Sequence, residues 1–201
     1  MDWLSYEKKY ELQGRKLICG VDEAGRGPLA GPVCAAAVIM PSGLMIEGVN
    51  DSKKLTPKKR EALYQIIIEK CIDYSVSLVC SEKIDEINIL NATHLAMKNA
   101  VDSLKQKPDI VLVDGNSLPK WDVDSVSIVK GDALSHSIAC ASILAKVSRD
   151  KFMIEQAEKY PSYNFEKHKG YGTKAHIEAL KKYGPCEIHR KTFLKNILKD
   201  E

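Results

Sequence analysis

The sequence predicts an α/β fold in which a mixed five-stranded sheet is flanked by helices and followed by a helical C-terminal part. Three observations lead to this prediction. Short apolar runs that suit strands alternate with stretches whose apolar residues recur at helical spacing. The last strand-like run ends at Val129, and only helical patterns follow it. The 201 residues, 44% of them hydrophobic, are enough for one domain with a buried core, and no repeat is visible.

Five apolar segments predict the strands. Residues 17–21 form a short run that is typical of a buried strand, and residues 33–40 form a second one that ends in a Pro-Ser-Gly turn. Residues 74–80 partly alternate between apolar and polar side chains, as expected of a half-exposed strand. Residues 110–113 and 126–129 are compact β-branched and aliphatic runs.

Capping residues and breakers predict the helices. Thr56, followed by proline at the first helical position, indicates the start of one helix, and Asn91 is the expected cap of a second. Residues 134–160 form the longest helical stretch, which a proline ends. Thr173 indicates the start of a last helix, which we expect to stop at Gly184.

Composition limits the class of protein. No apolar run reaches the ~18 residues that a membrane span needs, and the first residues lack the basic and apolar regions of a signal peptide. The six cysteines form no Cys-x-x-Cys pair and no zinc-binding spacing. We therefore expect a cytoplasmic protein whose cysteines are buried thiols.

Charge is unevenly distributed along the chain. The net charge is only +3, but residues 140–201 carry 13 basic and 8 acidic side chains, whereas residues 1–139 carry 17 basic and 19 acidic ones. This basic C-terminal third is compatible with a polyanionic partner and, equally, with a plainly solvated helical surface.

Four acids lie where predicted strands end. Asp22 and Glu23 follow the first strand, Asp114 follows the fourth, and Asp132 comes shortly after the fifth. Each alone could be a turn residue or a helix cap. If the four converge, their mutual repulsion requires a cation, and oxygen ligands without His or Cys favour Mg²⁺ or Mn²⁺. Two ions about 3.5–4 Å apart would suit hydrolysis of a phosphodiester, whereas a glycosidase would need only two acids.

A glycine-rich loop follows the first acid pair, and with other segments it resembles a known family. The loop matches neither a dinucleotide-binding fingerprint nor a phosphate-binding Walker loop. Residues 21–33, with the sequence VDEAGRGPLAGPV, are similar to the signature of bacterial ribonuclease HII. Later segments agree in the same order, namely DSKKL at 51–55, VDGN at 113–116, KGD at 130–132, SIACASILAKVSRD at 137–150 and HKGYGT at 168–173.

The resemblance implies a ribonuclease H-like fold and a function. The family cleaves the RNA strand of RNA–DNA hybrids and incises duplex DNA on the 5′ side of a single embedded ribonucleotide, which leaves 3′-hydroxyl and 5′-phosphate ends. It uses Mn²⁺ or Mg²⁺ and acts in ribonucleotide excision repair. The presence of the Gly-Arg-Gly loop favours type II over the related type III enzymes, which lack it.

The resemblance also implies roles for individual residues. The metal-binding and catalytic acids of the family match Asp22, Glu23, Asp114 and Asp132. The loop that recognises the RNA-to-DNA junction matches Gly25, Arg26 and Gly27, together with a tyrosine placed at Tyr171. Without the family match, Tyr171 could equally be a partly buried surface residue.

Basic side chains are the candidate contacts to phosphate groups, although each alone could be a solvated surface charge. Together they predict salt-sensitive binding. We expect one domain, 1–201, in which residues from about 161 to 201 form a helical C-terminal extension that binds substrate, and we expect a monomer. His136 and His189 receive no primary catalytic role. The candidate phosphate contacts are Lys53, Lys54, Lys146, Arg149, Lys167, His168, Lys169 and Lys174.

Two other functions compete with this interpretation. A DNA junction resolvase of similar fold would cut branched all-DNA structures and ignore a ribonucleotide. A catalytically silent nucleic-acid-binding module would show no metal-dependent cleavage, although the complete set of acids disfavours it.

Overall fold

The computed structural model describes residues 2–195, 197 and 198 of the chain. It contains five strands in one sheet, with the spatial order β3-β2-β1-β4-β5. Strand β2 is antiparallel to β1 and to β3, whereas β1, β4 and β5 run parallel. The predicted mixed five-stranded sheet is thus confirmed. The strands are β1 (Ile18–Ala24), β2 (Val33–Ile39), β3 (Asp73–Val79), β4 (Ile110–Asp114) and β5 (Ser125–Ile128).

The described residues form seven α-helices. None of them, in the part of the chain that the structure describes, is long and apolar enough to cross a bilayer. The predicted caps Thr56 and Thr173 are confirmed, because each hydroxyl accepts a hydrogen bond from the N–H three residues later, at 3.3 Å. The helices are α1 (Ser5–Glu11), α2 (Pro57–Lys70), α3 (Ser81–Asp102), α4 (His136–Lys159), α5 (Phe165–His168), α6 (Lys174–Tyr183) and α7 (Lys191–Leu194).

The start of α3 differs from the prediction. The helix begins at Ser81, so the expectation that Asn91 caps it is wrong. The regular helix is interrupted at Asn88, which has φ 66° and ψ 166°, and the Asn88 side chain accepts a hydrogen bond from the N–H of Asn91 at 3.1 Å. The capping chemistry is therefore present, but it comes from the residue three positions earlier and restarts a helix that is already under way.

The first helix has no counterpart in the sequence-based prediction. It has only seven residues, and a buried carboxylate anchors it. Oε1 of Glu7 accepts hydrogen bonds from the Ser135 hydroxyl, the Ser137 hydroxyl and the Ser137 N–H, at 2.7, 2.7 and 3.0 Å. Such a short polar segment has little helical stability alone, so these contacts with the start of α4 hold it.

The sheet is buried between two layers of helices. On one face, Val21, Val33 and Val111 pack against α3, and on the other, Cys34, Ala36 and Val38 pack against α2 and α4. Helix α4 lies unusually close to β1. A β-carbon on Gly20 would lie 2.2 Å from the carbonyl carbon of Ser137, so only glycine permits this approach.

The C-terminal part packs as a smaller apolar cluster against the outer half of α4 and the loop after β1. Its buried members include Leu29, Met153, Phe165, Leu180 and Leu194. A single β-bridge between Ala30 and His189 fastens the last segment of the chain to that loop. The observed helices confirm the predicted helical C-terminal part of the fold, of which residues 196 and 199–201 lie outside the described residues.

Replacing Gly20 by alanine tests the close packing of β1 and α4. Because the new methyl group meets backbone atoms rather than a flexible side chain, α4 must shift, and we expect a loss of about 1–3 kcal/mol in the free energy of unfolding. Urea titration measures this value. Ser127→Ala, at an exposed position of β5, serves as the control and should change stability by less than about 0.5 kcal/mol. Equal stability of the two variants would contradict the packing argument.

Candidate active site

Parallel pairing of β1 and β4 places two acids side by side. Val21 pairs with Val113, so Asp22 and Asp114 come one residue later on strands that lie about 4.8 Å apart. Asp22 points to the same face of β1 as Gly20, the face covered by α4, and only 4% of it is exposed. Strand β1 continues through both acids because they still pair with β2, so Glu23 lies on the opposite face. The boundary predicted at Val21 was therefore three residues too early.

A tight turn after β5 brings the fourth acid to this edge. Lys130 adopts a left-handed conformation, with φ 59°, and starts a single 3₁₀ turn over Gly131–Ala133. Oδ1 of Asp114 accepts hydrogen bonds from the N–H of Gly131 at 2.6 Å and, more weakly, from the N–H of Asp132 at 3.4 Å. The Asp114 carboxylate thus fixes the backbone that carries Asp132.

The acids around Asp114 have raised pKa values. Burial, together with the charges of Glu23 and Asp114, raises the pKa of Asp22 well above its ordinary value. Burial also raises the pKa of Glu23; the nearby Arg26 guanidinium opposes this shift, and Asp114 adds to it. The pKa of Asp132 is raised by burial and by the Asp114 charge. The site therefore holds more negative charge than its own surroundings neutralise.

The carboxylate oxygens of these four acids are the type of ligand that a hard divalent cation prefers, although the side chains do not surround such an ion. Among the described residues, no group of three or more His, Cys, Asp or Glu side chains is arranged to hold a metal ion by itself. Mg²⁺ commonly keeps several waters and takes one or two carboxylates plus phosphate oxygens from the substrate, so a closed protein cage is not required. Carboxylates whose pKa is raised by burial and mutual repulsion favour a cation.

The glycine loop, Tyr171 and Glu23 line one cleft of about 370 Å³. A β-carbon on Gly27 would lie 3.9 Å from the Tyr171 ring, and 44% of this tyrosine is exposed. Nη1 of Arg26 lies 3.6 Å from Oε1 of Glu23, which links the loop to the acid cluster. The structure thus brings the predicted loop and tyrosine to Glu23, whereas Asp22, Asp114 and Asp132 are not among the residues that line this cleft. The cleft is lined by Glu23, Ala24, Gly25, Arg26, Gly27, Ser52, Lys53, Ser142, Lys146 and Tyr171.

The predicted role of Arg149 as a phosphate contact needs correction. This side chain is fully buried, and its guanidinium donates to the carbonyl oxygens of Pro32, Lys169 and Ala30 at 2.9, 3.0 and 3.1 Å. All its nitrogen atoms are therefore engaged within the protein. Arg149 holds together the far end of the glycine loop and the segment that leads to Tyr171.

The lysines among the predicted contacts occupy different settings. Burial alone would lower the pKa of Lys53, but the charges of Asp22 and Asp132, with those of two further aspartates, raise it, so this ammonium group faces the acids. Lys146 lies in the cleft and forms an ion pair with Asp150 at 2.7 Å. Lys54 and Lys167 are exposed, Lys169 is half-buried with its ammonium on the Glu166 carbonyl, and Lys174 lies 3.9 Å from Glu178.

Comparison with known proteins identifies the family. The sequence profile described as Ribonuclease HII matches residues 19–196. The chain belongs to the ribonuclease HII family. A ribonuclease HII from Caldicellulosiruptor bescii is 64% identical over 197 residues, which cover 98% of this chain and 96% of that protein. As a ribonuclease HII, the chain is an endoribonuclease that hydrolyses RNA in RNA–DNA hybrids, and it depends on a divalent metal ion.

Solved structures show the same ribonuclease H-like fold. The ribonuclease H2 of Pyrococcus horikoshii OT3 is 32% identical, with a TM-score of 0.75 over 90% of this chain and 97% of that one. A Bst ribonuclease HIII, solved in complex with Mn²⁺, is 16% identical, with a TM-score of 0.63 over 85% of this chain and 63% of that one, and so supports the fold alone.

The sequence-based prediction for this ribonuclease HII missed three residues at or beside the site. The hydroxyl of Ser142 lies close enough to Asp22 to lower its pKa, and it is 2.9 Å from the Ser52 hydroxyl; both serines are inside the segments that carry the family resemblance, which was the available signal. Arg190 is fully buried under the glycine loop. No local pattern distinguishes it from the other basic residues of the C-terminal third.

The raised pKa of Asp22 predicts a pH-dependent cost in stability. A carboxyl whose pKa is higher in the folded than in the unfolded state contributes stability at low pH, and this is lost as the pH rises through the folded-state value. We therefore expect Asp22→Asn to stabilise the metal-free enzyme at pH 7.5 by roughly 0.5–2 kcal/mol, with the gain fading towards pH 4. Thermal unfolding in EDTA at several pH values measures this difference.

Asp109→Asn provides the matched control with the opposite sign. The Asp109 carboxylate accepts hydrogen bonds from the N–H groups of Leu17 and Lys16, which lower its pKa. Its substitution should lower stability at neutral pH and matter less in acid. An Asp22→Asn variant that is less stable than wild type at pH 7.5 would show that repulsion does not dominate at this site.

Proposed function

We propose that the cleft incises duplex DNA on the 5′ side of a single embedded ribonucleotide and leaves 3′-hydroxyl and 5′-phosphate ends. The observation that carries this proposal is that the glycine loop, Tyr171 and Glu23 line one cleft, next to a buried Asp22 whose pKa Glu23 and Asp114 raise. Discrimination between RNA and DNA requires contact with the 2′-hydroxyl. This cleft offers backbone groups and a tyrosine for that contact, with acids for cleavage beside them. Removal of ribonucleotides from DNA is the corresponding repair role.

We assign metal binding and catalysis to Asp22, Glu23, Asp114 and Asp132, with Mg²⁺ or Mn²⁺ as the ion. A bound divalent cation supplies a water of lowered pKa and stabilises charge on the departing 3′ oxygen. Asp22 and Asp114 lie side by side on parallel strands and are the best placed primary ligands. Lys53 faces these acids and partly offsets their repulsion before an ion binds.

Substrate recognition is assigned to the loop and to Tyr171. Backbone groups of the loop can approach the ribose at Gly27, which is exposed and carries no side chain, whereas the missing side chain of Gly25 makes room for Arg149. The Tyr171 ring can pack on the neighbouring deoxyribose, and its hydroxyl can bond to the sugar-phosphate. Arg26, half-exposed beside Glu23, is placed to meet a phosphate.

We assign binding of the duplex beyond the cleft to the basic C-terminal part of the protein. A second cleft of about 380 Å³ shares Lys146 and Tyr171 with the first and continues along Lys167, His168 and Lys169. This continuity supports the proposal that residues from about 161 bind substrate within a single domain, with Lys54 as a further phosphate contact. We further propose that the enzyme is a monomer of the cytoplasm, where its six cysteines, all free, remain reduced. The expectation that all six are buried is wrong, because Cys80 is exposed and Cys71 and Cys186 are half-buried.

Replacement of the central acids tests the proposed centre. Asp22→Asn and Asp114→Asn keep the size of the side chain but remove the negative charge, so we expect each to lower cleavage of a duplex with one ribonucleotide by at least about 100-fold. The assay maps the cut with Mg²⁺, with Mn²⁺ and with EDTA. A branched all-DNA junction in parallel tests the resolvase alternative. Near-normal turnover by both variants would refute the assignment.

Paired substitutions separate the two contributions of Tyr171. Tyr171→Phe keeps the ring and loses the hydroxyl, whereas Tyr171→Ala loses both, so we expect a graded fall in incision at a single ribonucleotide, larger for alanine. Tyr183→Phe, at another exposed tyrosine, is the matched control and should retain activity. If both Tyr171 variants cut as well as wild type, this tyrosine does not read the junction.

A further inference from the structure

Arg190 occupies an unusual position for a basic residue. It is fully buried directly beneath the glycine loop. Its Nη2, Nη1 and Nε donate to the carbonyl oxygens of Gly25, Arg26 and Gly31 at 2.6, 2.8 and 3.0 Å. Within the described residues, no carboxylate lies within ion-pairing distance of this guanidinium. All three of its side-chain nitrogen atoms thus donate to one loop.

A charged guanidinium group is well suited to holding these three carbonyl groups in place. Burial and the neighbouring Arg149 lower the pKa of Arg190 to about 9, which leaves the guanidinium protonated at neutral pH. The planar guanidinium holds its donors at fixed angles, so it can fix the orientation of several carbonyl groups at once, which the ammonium of a lysine cannot do.

The direction of these carbonyls determines the direction of the loop N–H groups. In a planar trans peptide the C=O of one residue and the N–H of the next point in opposite directions. With the carbonyls of Gly25 and Arg26 turned towards Arg190, the N–H groups of Arg26 and Gly27 face away from it. Neither N–H makes a hydrogen bond within the described part of the chain, and both residues line the cleft.

We propose that Arg190 is a positioning residue for ribose recognition: it orients the two peptide groups after Gly25 and after Arg26 so that their N–H groups meet the ribonucleotide. This proposal rests on the proposed function, in which the loop reads the 2′-hydroxyl. Arg190 itself touches neither substrate nor metal. Its effect is on which sugar the cleft accepts.

The segment that carries Arg190 is itself anchored on two sides. The N–H of Arg190 donates to the carbonyl of Leu29 at 2.9 Å, so the segment runs along the loop. On the other side, Asp85 of α3 accepts hydrogen bonds from the N–H groups of Lys191 and Thr192, at 2.8 and 3.0 Å. Asp85 thus holds the start of α7, and with it Arg190, against the body of the protein.

The test compares binding of two duplexes that differ only in one 2′-hydroxyl. Fluorescence anisotropy with Ca²⁺ in place of Mg²⁺ gives the dissociation constants of the ribonucleotide and all-DNA duplexes, and incision rates are measured separately with Mg²⁺. For Arg190→Lys we expect the preference for the ribonucleotide duplex to fall by about tenfold, with incision lowered in parallel. The affinity for the all-DNA duplex should stay within about twofold, because phosphate contacts are unchanged.

Two further variants separate positioning from stability. Leu180→Ala removes a buried side chain of α6 from the same C-terminal cluster and should lower the melting temperature without changing the ribonucleotide preference. Asp85→Ala removes the two hydrogen bonds that hold the Arg190 segment on its partly exposed side. We expect it to reduce the ribonucleotide preference by a smaller factor, about threefold. This variant should fold even if Arg190→Lys does not.

The outcomes are distinguishable. If wild type neither prefers nor cuts the ribonucleotide duplex, the proposed function fails. If wild type discriminates and a folded Arg190→Lys discriminates equally well, the role of Arg190 is overturned, whatever its melting temperature. If Arg190→Lys does not fold, an unchanged preference in Asp85→Ala overturns it. A loss of preference in Leu180→Ala equal to that of Arg190→Lys would show that general loosening is sufficient.

Discussion

The parallel pairing of β1 with β4 is the constraint on which the site depends. It places Asp22 beside Asp114 where burial raises the pKa of Asp22, and it leaves Asp114 free to hold the turn that carries Asp132. Neighbouring buried carboxylates repel, so this arrangement opposes folding in the absence of a cation. The large apolar interface between the sheet, α3 and α4 must outweigh this cost. Cation dependence is therefore a consequence of where the strands end.

Much of the fold follows from the sequence because its signals are local. Apolar runs specify the strands, and the hydroxyl caps Thr56 and Thr173 specify two helix starts. The start of α3 was mispredicted because Asn88 makes a cap inside a longer helix, where the cap pattern does not indicate a boundary. The first helix was missed because it depends on Glu7 reaching Ser135 and Ser137, which lie nearly 130 positions away in sequence.

The site could be predicted only in part for a similar reason. Acids at strand ends are visible in sequence, since the topology of an open sheet brings such ends together. The direction of a long basic side chain is not visible. Arg149 and Lys146 lie three positions apart on α4, yet the first is buried on backbone carbonyls and the second reaches the cleft. Arg149 is buried because it packs against the glycine loop in the tertiary structure. The spacing of residues along α4 does not indicate this contact.

Buried charges of opposite sign lie on the two sides of the glycine loop, and the protein compensates them in different ways. On one side, carboxylates are left with incomplete compensation, which suits an exchangeable cation. On the other, Arg149 and Arg190 are each satisfied by three backbone carbonyls. A carboxylate beside either arginine would compete with those carbonyls for the guanidinium and release the loop. The absence of such an acid among the described residues is therefore what allows a fixed positive charge to shape the backbone next to a site that must stay negative.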